Sequence, residues 1–213
     1  MKHTLLLLVL TMGLVLEPAL GQREMAFHGL VVGISDYAAE GGLYRDRAEG
    51  GQYTARQFWQ LLTTYNGHGQ GWPQGNVDQL YGSSATEYNI RYSVQNNLPR
   101  GDGYLNLYYQ SGHAVSTGTI TYDNGYYTPS EMESDLGSGF ERHIKIIDGC
   151  YSGGIVNSFT KGQGLSACSA TEVTYNLKAL GGTNDTTGVF TYFLIDGMTY
   201  NTAAGGGSNA VSA

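Results

Sequence analysis

Three short apolar runs, each closing in a polar loop, constrain this 213-residue chain more than any other feature. Residues 27–34 (FHGLVVGI) lead into Ser35-Asp36-Tyr37, residues 104–113 (YLNLYYQSGH) end in a histidine, and residues 142–150 (RHIKIIDGC) end in a cysteine. A strand with one wet face alternates apolar and polar residues. Runs as continuous as these fit strands covered on both faces. Between them lie segments of helical period. Ala55, Phe58, Leu61, Leu62 and Tyr65 share one helix face, which Asn66-Gly67 closes. Ile90, Val94 and Leu98 share another, after Ser and Thr caps and Glu87 and before the break at Pro99. Thr128 and Pro129 open a third helix to Leu136, and residues 188–198 read as a fourth. Strands alternating with helices predict an α/β fold with a mainly parallel sheet. Further strands are expected at residues 76–82 and 164–172. Residues 115–128 alternate around Asp123-Asn124-Gly125 and predict a β-hairpin rather than an acidic cation loop.

The ends differ from the middle. Met1-Lys2-His3 is basic, residues 5–16 are almost wholly apolar, and Ala19 and Gly21 are small. These are the three parts of a secretory signal, and the apolar run is short for a membrane span. The expected organisation is a signal peptide over 1–21, a domain over 22–200 and a tail over 201–213. That tail has nothing to bury, and is either disordered or the cut end of a longer protein. The destination is outside the cell or periplasmic, with no membrane association after signal removal. Lys plus Arg is 11 against 18 Asp plus Glu, a net charge of −7. With no basic patch or arginine–aromatic stripe, nucleic acid is not an expected partner.

The chemistry is expected at the carboxyl ends of the strands, where open α/β sheets place their sites. If the strands ending at His113 and Cys150 are neighbours, both loops open on one edge. A thiol needs a base or a positive charge to become a thiolate near neutral pH. His113 is placed to supply one and then to protonate a leaving amine. The Cys150 amide and an amide in residues 111–114 are available to an oxyanion. Gly149, Gly153 and Gly154 allow close backbone approach. Asp148 is expected at the mouth of the site, ready to receive a cationic side chain. Plainer readings stand beside these: Cys150 as a small buried hydrophobe, His113 as a structural histidine, and a Cys150–Cys168 disulfide. Cys168 reads as core within its strand, and Glu131, Glu133 and Asp135 as a solvated helix start. His28, His68 and His143 lack metal-ligand spacing, so no metal or other cofactor is expected. No Gly-x-Ser-x-Gly elbow is present.

YYQSGHA (residues 108–114) and DGCYSGG (148–154) resemble two motifs of the caspase-like peptidases, the group of caspases, metacaspases, legumains and gingipains. The family motifs are hydrophobic–Ser-Gly-His-Gly and Asp-x-Cys-x-Ser-Gly. LVVGISDY (30–37), GLSACSATE (164–172) and GVFTYFLIDGM (188–198) are similar, in the same order, to the first strand, the segment after the nucleophile and the late helix. The likeness covers most of residues 27–198. It implies a caspase-like α/β/α sandwich that hydrolyses protein or peptide substrates through a thioester. His113 would be the general base and Cys150 the nucleophile, with the backbone amides of Ala114 and Cys150 as oxyanion hole. Asp148 would line the specificity pocket, favouring Arg or Lys before the cut as in metacaspases. Two departures stand out. Ala114 replaces the glycine after the histidine, and a positive φ there would cost about 1 kcal/mol or more. Thr54-Ala55 falls where metacaspases carry Asp-Ala, leaving Asp46 as the nearest acid to substitute in the pocket. Two further readings use the same frame: a legumain-like asparaginyl endopeptidase or transpeptidase, and an inactive caspase-fold binding module.

Overall fold

In chain order the elements are β1 (Ala26–Gly33), α1 (Gly51–Thr64), β2 (Val77–Tyr81), α2 (Glu87–Asn97), β3 (Tyr104–Ser111), the short strands β4 (Ala114–Val115), β5 (Gly118–Ile120) and β6 (Tyr126–Tyr127), α3 (Pro129–Leu136), β7 (His143–Asp148), α4 (Ser152–Val156), β8 (Gln163–Ser166) and α5 (Val189–Ala203). This computed structural model describes residues 25–38, 50–64, 71–101, 103–137, 142–179 and 186–203. The expected signal peptide, Asp46, His68 and residues 204–213 lie outside the described residues.

The central sheet has the order β2-β1-β3-β7-β8, and every pairing in it is parallel. The continuous apolar runs now have their reason. Val31, Leu107, Tyr109 and Ile146 face a layer with Phe58, Leu61 and Leu62 of α1, against which Phe190 and Leu194 of α5 also pack. Leu30, Val32, Tyr108 and Ile147 face the opposite layer, with Ile90 and Val94 of α2, Met132 and Leu136 of α3 and Ile155 of α4. Neighbouring residues of one strand thus enter opposite cores. The fold is an α/β/α sandwich. Its sheet is parallel throughout, and β4, β5 and β6 form a separate antiparallel sheet. The hairpin of β5 and β6 turns through Asn124 at φ 60, a left-handed position that asparagine tolerates.

Four expectations need correction. The strand expected over 164–172 ends at Ser166, because the Ser152 hydroxyl then accepts the Cys168 N–H at 3.3 Å and draws the chain out of the ladder. Cys168 is therefore a half-buried loop residue and not core. The acids of α3 are not merely a solvated start. Glu131 closes a capping box with Thr128, and Glu133 accepts the Thr160 and Lys161 N–H groups at 2.7 and 2.9 Å. Asp135 is buried and takes Arg91 in a two-pronged pair at 2.9 and 3.2 Å, so these acids bind α3 to α2 and to the approach to β8. Finally, the helix read over residues 188–198 runs from Val189 to Ala203.

Candidate active site

The register of the sheet assembles the site. Gly33 pairs with Ser111 and Ser111 with Asp148, so β1, β3 and β7 stop at one level. The loops that follow touch through their backbones. The Gly112 N–H donates to the Asp148 carbonyl at 3.2 Å. A Cβ at Gly149 would lie 2.8 Å from the Gly112 carbonyl and 2.9 Å from the Ala114 methyl, so glycine is required for this approach. A cavity of about 310 Å³ opens above, and His113 and Cys150 both line it. The two residues expected to work together are brought to one pocket, with Asp148, Thr54 and Gly188 in its wall.

The backbone donors can be sorted by elimination. Gly112 N–H goes to Asp148, and His113 N–H goes to the Tyr37 hydroxyl at 2.6 Å. The His113 carbonyl accepts from Ile120 N–H at 3.0 Å, which makes Ala114 and Thr119 the non-hydrogen-bonded pair of the β4–β5 ladder. The Ala114 N–H thus points away from β5, on the side where Gly149 lies. Among the described residues only Asn124 and Tyr151 are non-glycines at positive φ, so Ala114 carries none of the cost its methyl would have had there.

After Cys150 the chain turns hard. Tyr151 sits at φ 56, ψ 15, a left-handed conformation that costs a residue with Cβ about 1–2 kcal/mol. Its N–H donates to the Glu172 carbonyl at 2.8 Å, and α4 begins at the next residue. Strain of this kind persists where surrounding contacts over-determine it, and it gathers at functional sites. α4 tolerates no side chain at its second and third residues: a Cβ at Gly153 would meet the Cys168 carbonyl at 2.9 Å, and one at Gly154 the Ser116 carbonyl at 2.7 Å. Both cysteines are free thiols. The Cys168 thiol lies 3.4 Å from the Gly149 carbonyl and 3.2 Å from that of Glu172, so it braces the loop that carries Cys150 without bridging it.

Asp148 is at the floor of the pocket and not at its mouth. It is 4% exposed, and a Cβ at Gly188 would stand 2.5 Å from its Oδ2. Burial pushes its carboxyl up from 3.8 to about 6, against hydrogen bonds from the Thr191 hydroxyl and N–H and from Tyr109 that favour the charge. The Thr191 hydroxyl donates at 2.5 Å, and Tyr109 lies 2.7 Å from the same hydroxyl. Thr191 belongs to the first turn of α5, whose dipole also favours an anion there. Thr54 does reach the pocket, but as a buried hydroxyl accepting the Gly188 N–H at 2.9 Å. His143 lies elsewhere: it is buried in β7, pushed down to about 3 by burial and by the charge of Lys145. Among the described residues no group of three His, Cys, Asp or Glu could hold a metal, and no helix is long and apolar enough to cross a membrane.

Tyr37, Gly188 and Thr191 were not identified from sequence. Tyr37 had a signal, as the aromatic ending the polar tripeptide after β1. Thr191 had none, because a threonine in an apolar helix reads as filler.

No family model matches the sequence, and no curated protein matches it. Among solved structures, the crystal structure of protein GSU0716 from Geobacter sulfurreducens is similar, with a TM-score of 0.61 at 13% identity over 83% of each chain. The likeness is one of fold.

Proposed function

We propose that this chain is an exported cysteine endopeptidase of the caspase-like, metacaspase-like type. The observation that carries the reading is the shared pocket: two adjacent parallel strands deliver one histidine and one cysteine to the same 310 Å³ cavity. Cys150 attacks the scissile carbonyl carbon and His113 takes the thiol proton. The tetrahedral oxyanion meets the Ala114 and Cys150 amides. Collapse expels the amine, which His113 protonates, and leaves a thioester. Water then attacks the thioester, with His113 again as base, and frees Cys150.

The floor acid supports cleavage after Arg or Lys. A buried carboxylate attracts a cationic side chain entering the cavity and repels an anionic one. A pocket built for asparagine would instead present neutral hydrogen-bonding groups, so the legumain-like reading is the weaker. The binding-module reading loses its main argument, because Ala114 sits in ordinary backbone. Export rests on residues 1–21 alone. A positional-scanning peptide library on the mature protein, run beside Cys150→Ala and His113→Ala, tests the proposal. Cleavage after basic residues, lost in both variants, is the expected result. A wild-type preference for Asn or Asp would remove the metacaspase-like assignment and leave the dyad.

A further inference from the structure

The residue packed against the proposed base comes from the first strand's loop. Tyr37 is buried, and its ring stacks on the His113 imidazole with centroids 5.0 Å apart and planes at 29°. Its hydroxyl accepts the His113 backbone N–H at 2.6 Å. The phenol is therefore in contact with both the main chain and the ring of one residue. Gly112 makes room for it: at φ +155, a Cβ on Gly112 would lie 2.6 Å from the Tyr37 hydroxyl.

The chain on either side of Tyr37 is itself held. Ile34 N–H donates to the Ser111 carbonyl at 3.0 Å, and Ala38 N–H to the Tyr122 carbonyl at 2.8 Å. The Asn124 side chain donates to the Ala38 carbonyl at 2.9 Å. The strand end, the His113 loop and the β5–β6 hairpin thus fix the phenol. Burial, the largest cause, raises the Tyr37 phenol well above its ordinary value, and the nearby Cys150 adds to the rise. Tyr37 stays neutral wherever the peptidase works and does not compete with His113 as a base.

From this geometry we infer that Tyr37 is a positioning residue for His113, resting on the peptidase reading above: it clamps the backbone of the base and presses one face of its ring. A histidine with one face covered and its N–H tethered keeps its edge toward the pocket that Cys150 lines. The π-face of a tyrosine also favours a cation beside it, and His113 becomes one each time it takes a proton. The contribution is to turnover, not to substrate capture, because Tyr37 is not among the residues lining the cavity.

Tyr37→Phe and Tyr37→Leu in the mature protein test this. Three readouts are compared: kcat and KM on an Arg- or Lys-containing peptide, the rate of Cys150 alkylation by iodoacetamide, and the ratio of basic to neutral P1 cleavage. Tyr37→Phe keeps the stack and loses the tether, so kcat and alkylation should fall about tenfold, the worth of one hydrogen bond. Tyr37→Leu loses both, and a misplaced catalytic group costs about a hundredfold. KM and the basic-to-neutral ratio should stay at wild-type values, as a general loosening of the fold would not allow. Unchanged kcat in either variant overturns the assignment, and so does a fall matched by a change in P1 ratio. If Tyr37→Leu does not fold, Tyr37→Phe decides alone. If wild-type Cys150 alkylates no faster than Cys168 and no peptide is cleaved, the peptidase reading fails and takes this assignment with it. If the wild type cleaves and both variants match it, the Tyr37 assignment alone fails.

Discussion

Replacing Asp148 by asparagine separates two roles that the geometry gives one carboxylate. As the pocket floor it should recognise a cation. As the acceptor for Thr191 and Tyr109 it ties β7 to α5. Removing one partner of a desolvated charge pair costs about 2–5 kcal/mol. At about 1.4 kcal/mol per tenfold, Asp148→Asn should lower kcat/KM after Arg or Lys by roughly thirty- to several-thousand-fold. Cleavage of a peptide with a neutral P1 residue should change little. Stability has the opposite sign. Burial raises the carboxyl from 3.8 to about 6, so the folded state holds this proton more tightly than the unfolded state. Stability then falls as pH rises between those values and is level above them. Near pH 7 the buried charge costs about 3 kcal/mol, and Asp148→Asn should keep or raise Tm there. In the wild type, the ratio of kcat/KM for basic to neutral P1 peptides should drop as pH falls through about 6, because protonation of the dyad acts on both peptides alike and cancels in the ratio. The assay is paired progress curves on peptides differing at P1, with calorimetry on the same samples. A variant that loses several degrees of Tm and cleaves every peptide equally poorly would refute recognition and leave Asp148 as a structural tie.

Gly188→Ala sets a methyl 2.5 Å from Asp148 Oδ2 and should lower kcat/KM selectively for basic P1 peptides. His113→Ala should lower kcat by about 10²- to 10⁴-fold with little change in Tm, whereas His143→Ala should lower Tm and spare most of the activity. Cys168→Ala should keep most activity, since its thiol only braces the loop that carries Cys150; loss equal to that of Cys150→Ala, with a disulfide found by mass spectrometry, would support the bridge instead. Thr128→Ala removes the hydroxyl that accepts the Glu131 N–H in the α3 capping box, leaves the backbone N–H of residue 128 to the Glu131 carboxylate, and should cost about 1 kcal/mol in urea unfolding.

What was legible in the sequence was whatever one segment decides alone. Apolar runs buried on both faces announce a parallel strand, and the loops holding His113 and Cys150 follow from where those runs stop. Depth was not legible. Asp148 reads as the mouth of a site because it precedes the turn, but its burial depends on Thr191 and Gly188, about forty residues later, closing over it. The fate of residues 164–172 depended on one hydroxyl, Ser152, drawing Cys168 from the sheet. The acids of α3 looked solvated because Arg91, Thr160 and Lys161 are distant in the chain. Tyr37 was visible as an aromatic after a strand, and its stack on His113 was not.

The dyad itself is tested most directly by a peptidyl acyloxymethyl ketone ending in arginine, with the labelled residue located by mass spectrometry. The inhibitor should modify Cys150 one-to-one, spare Cys168, and label His113→Ala far more slowly. Modification at Cys168, labelling at neither cysteine, or equal labelling of wild type and His113→Ala would contradict a Cys150–His113 peptidase.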